Sequence, residues 1–412
     1  MIIKNWSVVL THVMLSAALG LITAYTGYRI FVQALETAEA EQVQAYMDVR
    51  AGREQNLFDE ALELNLATER VFRRRLEGLQ GLDINDEFDR LFPVIADGTR
   101  RSVPGLFEGM TLPDGDHVYG VGAFMGKGDE MDEDQKRLYL AAFHAVRSVG
   151  EAFLDQFESL YFFTPDRRVV IFGPHREDRL MFYRVEAPAD FDLRGDDDEN
   201  LFDRATNPDG ELQCTRLSRF VYSDGGERSA SGCRLPIRTE SGRLLGGVGT
   251  SIVMTDYLQS ALEFPPANGM NVLIDVDGQV LSRATQGQEA TQSRSLNRAV
   301  DFTDLAARLE TETRDNGVIR DQRSGRLVGF SRITGPNWYF IAVVHDEALR
   351  GQAMFWAVAL FWVIFLTSIG VATIRGALVR LHPVRRLRRA EKRSREDDAE
   401  PRYDFSHPEL EN

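Results

Sequence analysis

Only two cysteines occur in this chain of 412 residues, Cys214 and Cys233. Thiols this close in sequence can form a disulfide, ligate a metal or stay free. A structural zinc shell needs four donors, and no histidine stands near the pair to help complete one. A bridge or two free thiols are the readings left open. The seven histidines are scattered. His144 sits among apolar residues of a helical stretch and reads as a core-edge side chain, and His12 falls inside an apolar run, where a packed or snorkelling ring is the simpler reading. The run Asp196, Asp197, Asp198, Glu199 lacks the alternating acids and central glycine of a calcium hand, so it reads as a solvated loop. No G-x-S-x-G elbow, P-loop, H-E-x-x-H or C-x-x-C occurs. Catalysis, a cofactor and a metal centre are therefore not expected.

The elements around these residues come next. Trp6 to Tyr28 and Gly351 to Ile374 contain no Asp, Glu, Lys or Arg, and each stretch exceeds 20 residues, enough to cross a bilayer as a helix. The first has a rival reading as a cleaved leader, but no A-x-A site closes it and helical spacing continues past Arg29, so a retained anchor is expected. After Ile374, nine basic residues from Arg375 to Arg395 face one acid, Glu391. Such a segment stays in the cytoplasm. Both termini are then cytoplasmic at an inner (plasma) membrane, and residues 30–350 lie outside, in an oxidising compartment that permits a disulfide. Residues 1–374 carry net charge −17 and residues 375–412 carry +2. That acidity excludes a nucleic-acid partner, while the basic half of the tail suits anionic headgroups.

Within the outer segment, Phe31 to Leu79 reads as one long helix, with Val43, Tyr46, Met47, Leu57, Leu62, Leu66 and Val71 recurring at three and four. A second helical stretch runs from Asp132 to about Leu160. The period then changes to two. Strands are expected at Ser159–Thr164, Arg168–Phe172, Arg216–Tyr222, Cys233–Arg238 and Leu244–Val253. The cysteines bracket a hairpin turn at Asp224-Gly225-Gly226 whose unequal arms demand a bulge or a wide loop. After Pro265-Pro266 come a strand, the Asp277-Gly278 turn, a strand, a helix in DFTDLAARLETE and three more strands, the last pair joined at Gly335-Pro336-Asn337. The class is α+β, with two related antiparallel sheets in tandem.

This order, with IDVDGQVLSR, GFSRITGPNWYFIAVV and RLLGGVGTSIVMTDYL at its corners, resembles the double Cache sensor domain. That is a PAS-like extracellular fold of bacterial transmembrane receptors. The resemblance covers residues 30–350. It divides the chain into a cytoplasmic N-terminus (1–5), a first span (6–29), a stalk helix (30–80), a membrane-distal unit (81–255), a membrane-proximal unit (256–350), a second span (351–374) and a cytoplasmic tail (375–412). The tail resembles the opening of a HAMP relay module at His382-Pro383-Val384-Arg385-Arg386-Leu387, then departs from it by turning acidic. Leu381, Pro383, Val384 and Leu387 are the relay residues that this likeness implies, and a homodimer is implied with them.

The resemblance also implies a pocket over the distal sheet beneath its long insert. That region offers Tyr161, Phe163, His175, Arg176, Tyr183, Arg184, Tyr222 and Asp224. An arginine fork between aromatic walls would suit a carboxylate, although the R-x-W-Y arrangement of amino-acid-binding members is missing. The expected function is a receptor subunit that binds a small extracytoplasmic molecule and signals to a separate cytoplasmic protein such as a kinase or cyclase. The alternative is a membrane-tethered module that binds an envelope protein and senses no solute. The orientation is directly testable. A cysteine placed at Asp277 should react with an impermeant thiol reagent in cells with a permeabilised outer membrane, and one at Ser394 should not; the opposite pattern would invert the topology.

Overall fold

The computed structural model describes residues 2–127, 131–154, 157–166, 168–176, 180–191, 200–219, 229–266, 269–283, 300–321, 323–344 and 351–375. Two helices are long and apolar enough to cross a membrane: the N-terminal part of α1 (Ile2–Gly78) and a C-terminal helix, Gly351–Arg375. They pack on each other through small residues. Ser368 donates to Ser16 Oγ at 2.5 Å, and a Cβ on Gly20 or Gly27 would stand 3.0 Å from the Phe361 ring or 2.9 Å from Leu360. Close approach at small residues with a polar cross-link is how helices associate in lipid, where burial of apolar surface offers no driving force.

Residues Ala40–His345 form a separate compact unit. Its elements are α2 (Asn85–Leu91), β1 (Thr99–Arg101), α3 (Gly105–Glu108), β2 (Met110–Thr111), β3 (His117–Val118), β4 (Val121–Lys127), α4 (Glu133–Ala152), β5 (Ser159–Phe163), β6 (Val169–Phe172), β7 (Gln213–Cys214), β8 (Ser218–Arg219), β9 (Ser229–Arg238), β10 (Leu244–Val253), α5 (Thr255–Ser260), β11 (Gly269–Asp275), β12 (Val280–Arg283), α6 (Phe302–Glu310), β13 (Asn316–Arg320), β14 (Leu327–Ile333) and β15 (Trp338–Val344). A π-helical turn covers Phe182–Glu186. The first sheet is antiparallel in the order β1-β4-β6-β5-β10-β9-β7, with β8 also on β9; the second runs β12-β11-β15-β14-β13. Counted from β5, with β7 and β8 taken as one interrupted strand along β9, and from β11, both sheets follow one scheme: second, first, fifth, fourth, third. The fold is therefore two related antiparallel sheets in tandem on a long N-terminal helix, as the strand periodicity implies.

Each sheet is covered on both faces. Leu160 and Phe162 of β5 face a core shared with Leu64 and Phe72 of α1 and with Tyr139 to Val149 of α4. Tyr161 and Phe163 face the other way, into a cluster with Phe182, Tyr183 and Leu201 of the insert. In the second sheet, Trp338, Phe340 and Ala342 meet Val43, Met47 and Phe58 of α1, while Tyr339, Ile341 and Val343 meet α6. All seven residues of β15 are buried. Its alternation thus separates two apolar cores. Gly329 on β14 lets α1 come this close, since a Cβ there would lie 2.7 Å from Met47.

Two sequence expectations change, and the cysteine pairing is borne out. The helix expected to reach Leu160 ends at Ala152: Asp132 and Gln135 close its N-terminus as a capping box, but at Gly150 the chain passes so near Phe172 that a Cβ would sit 2.3 Å from the ring. Strands β1 and β4 extend the first sheet from a region where periodicity showed none, because β1 is Thr-Arg-Arg and β4 carries two glycines. The cysteines are directly opposed across β7 and β9 and form a disulfide. Between Cys214/Cys233 and Ser218/Ala230 three residues face two, which is the bulge the unequal arms require. The turn Asp224-Gly225-Gly226 lies outside the described residues.

Trp338 is 3% exposed and meets Phe58 of α1 edge-on at 5.9 Å. Trp338→Ala should lower stability by about 3–5 kcal/mol in denaturant titration, and an unchanged midpoint would contradict its place in the core. The disulfide spans a sequence separation of 19. Replacing both cysteines with serine removes about 3 kcal/mol of loop-closure entropy; calorimetry should show melting lowered by several degrees.

Candidate functional site

The face of the first sheet beneath the insert is built on register. Tyr161 of β5, Gly249 of β10, Arg234 of β9 and Gln213 of β7 are lateral neighbours, so their Cα–Cβ directions share one face. One step along, Phe163, Gly247 and Pro236 form the next row. The glycines decide the relief. A Cβ on Gly249 would stand 2.6 Å from the Tyr161 ring, and one on Gly247 would stand 2.9 Å from Phe163, so both rings lean over β10. The Tyr161 hydroxyl then reaches the backbone of Gly232. Arg234 is 8% exposed, and its guanidinium carbon lies 5.5 Å from the centre of the Phe163 ring. Guanidinium over a ring face is favourable, and it presents a planar donor edge beside aromatic walls.

The insert packs on this face mainly with rings. Phe191 meets Phe182 at 4.7 Å and Phe124 at 6.3 Å, and Phe202 meets Phe163 at 5.2 Å. Arg101 fixes the π-helical turn from below. It is 1% exposed, donates to the carbonyls of Ala187 at 2.5 Å and Tyr183 at 3.3 Å, pairs with Asp97 at 3.0 Å and lies over Phe124. Its guanidinium satisfies backbone acceptors that the irregular turn leaves without helical partners. The carboxyl of Asp97 is held below its ordinary range, since the hydrogen bonds from Thr99 and the charge of Arg101 outweigh partial desolvation.

Of the eight residues implied by the resemblance, the six described ones do not gather at one place. Tyr161 and Phe163 touch each other, at 5.8 Å between ring centres, and share a cluster with Tyr183. Arg184 is buried in the same turn but stacks on Phe107 at 4.4 Å, beside β4. Arg176 is buried and pairs with Glu158 at 3.6 Å. His175 is exposed and lines a narrow cleft with Leu64, Phe153 and Phe157, away from the aromatic face. Tyr222 and Asp224 lie outside the described residues, as do Leu381, Pro383, Val384 and Leu387. Arg234 was overlooked in the sequence. The available signal was strand alternation: a charged residue between Cys233 and Leu235 must face away from the core that those two enter.

His144 behaves as the sequence suggests. It is half-buried on α4, and burial, assisted by Arg75 and Arg147, lowers its pKa to about 4. It is neutral at physiological pH. Among the described residues no group of His, Cys, Asp and Glu is arranged to hold a metal ion.

No protein-family profile matches this sequence, and no curated protein does. Solved structures resemble parts of it. The periplasmic sensory domain of the Campylobacter jejuni chemoreceptor Tlp1 is 11% identical, with a TM-score of 0.39, over 76% of this chain and 97% of that one. The ligand-binding domain of Mlp24 with asparagine is 16% identical, with a TM-score of 0.30, over 50% of this chain and 76% of that one. The ligand-binding domain of the Pseudomonas fluorescens chemoreceptor CtaA, in complex with L-serine, is 17% identical, with a TM-score of 0.29, over 50% and 80%.

Proposed function

We propose that this protein is a two-pass membrane sensor subunit. Its outer segment binds a small carboxylate-bearing molecule on the insert-covered face of the first sheet, and its second apolar helix and basic tail carry the change to a separate cytoplasmic signalling protein. The observation that carries the reading is α1. One unbroken helix of 77 residues contains an apolar span and supplies side chains to the cores of both sheets. A change in packing at either sheet therefore acts on an element that continues into the apolar segment. The carboxylate preference rests on Arg234 of β9, whose guanidinium stands beside the Phe163 ring across the glycine-relieved β10. Tyr183, in the same aromatic cluster as Tyr161 and Phe163, is assigned a secondary contact. The tail residues Leu381, Pro383, Val384 and Leu387 are assigned the inward relay, and a homodimer is the working assembly.

The full chain in lipid nanodiscs, melted with acetate, succinate, L-alanine and L-aspartate in turn, tests this reading. At least one of them should raise the melting temperature saturably. Arg234→Gln should weaken that effect by tenfold or more, about 1.4 kcal/mol or greater. Arg234→Lys, a point charge without the planar fork, should fall between. If no carboxylate shifts the melt, or if Arg234→Gln binds as the parent does, an envelope-binding module becomes the better account.

A further inference from the structure

Among the described residues, the stripe of α1 that faces the two sheets buries charge at one level, while Asn65 and Thr68 are buried there as neutral polar residues. Arg50 and Glu54, one turn apart, are 4% and 1% exposed, and their side chains meet at 2.9 Å. Arg50 also reaches beyond its partner. It donates to the carbonyls of Ala261 at 2.5 Å and Glu263 at 3.4 Å, and its guanidinium carbon lies 4.5 Å from the centre of the Phe340 ring. The Tyr257 hydroxyl donates to the Glu54 carbonyl oxygen at 3.2 Å. Tyr46 donates to Asn271 Oδ1 at 2.9 Å, and the Asn271 amide donates to the Glu263 carbonyl at 3.1 Å. Arg53 is the other cation facing Glu54, at 3.8 Å.

These contacts converge on one segment. Tyr257 is on α5, Ala261 and Glu263 follow it, and Asn271 is on β11. Together they form the covalent connector from the last strand of the first sheet to the first strand of the second. Burying an ion pair costs desolvation that apolar side chains of equal volume would avoid, and burial pushes the Glu54 carboxyl above its ordinary range against the pull of Arg50. What the pair adds is direction. A guanidinium bonded to two carbonyls of the connector and held by a carboxylate on its own helix fixes the connector at one height along α1, whereas apolar packing would tolerate sliding.

We propose that Arg50 and Glu54 form a latch that ties the connector between the two sheets to α1, so that both sheets and the helix move as one body. Within the sensor reading above, this is the joint through which the end of β10 acts on α1. The latch itself requires no ligand, so its test is independent of that reading.

The test is hydrogen exchange on the full chain in nanodiscs. Glu54→Gln leaves Arg50 charged and buried without its counter-ion and risks misfolding. The double variant Arg50→Met, Glu54→Leu removes both charges and keeps the volume, and Arg50→Lys keeps the charge without the fork. In the double variant, amides from Thr255 to Glu263 should exchange about tenfold faster or more, while those of α4 and β9 stay within about twofold of the parent. The opening rates of the two sheets should separate. Arg50→Lys should show the same connector effect in smaller measure. Connector exchange unchanged in both variants would overturn the latch, and so would acceleration spread evenly over α4, β9 and the connector. Either result leaves the carboxylate melts to decide the sensor reading by themselves.

Discussion

The whole outer segment depends on a single helix face serving two sheets. Val43, Met47, Phe58 and Ala61 enter the core of the second sheet, and Leu64 and Phe72 enter that of the first, all on α1. Without that helix each sheet would leave one of its two apolar faces to water. The recurrence of buried positions at three and four over this length is the constraint from which the tandem arrangement follows. The same strand order in both sheets is its counterpart: two like surfaces stacked along one ridge.

The disulfide and the Arg50–Glu54 pair stand where those two surfaces meet. Cys214 and Cys233 belong to the first sheet by strand pairing, yet they pack in the cluster of the second, and the Cys214 amide donates to the Gly335 carbonyl at 3.0 Å. Arg50 holds the connector on the other strand-end. At one place a disulfide within the first sheet packs on the second, and at the other an ion pair holds the connector; both use groups whose geometry is fixed by direction, unlike the apolar side chains between them. The insert-covered face answers to a different rule. There the glycines of β10 give way to the rings of Tyr161 and Phe163, and an arginine from the next strand takes its place beside them. A face so built is deep in aromatic surface and carries one planar cation.

Much of this was legible in the residues. The charge-free stretches, the change of period near Ser159 and the strands after Pro266 describe local rules of hydrophobicity and turn chemistry, and local rules leave local signatures. Strands β1 and β4 left none: Thr99-Arg100-Arg101 is polar and yet buried, because its arginines find Asp89, Asp97 and backbone carbonyls distant in sequence. The helix beyond Ala152 was misjudged because apolar spacing continued, while the close approach of Phe172 to Gly150 could be known only from the packed sheet.

The sequence by itself determined the apolar spans, the α+β class and the tandem sheets. Each is encoded in the spacing of neighbours along the chain. Tertiary structure alone decided that Arg234 stands beside Phe163 while Arg184 stacks on Phe107 and His175 lines a separate cleft. It also decided that Arg50 and Glu54 lie under the connector rather than in water. The physical reason is the same in both cases. A charged side chain has no preferred burial of its own; its place is set by which acceptors and rings the folded chain brings within reach, and those partners come from strands and turns far away in sequence.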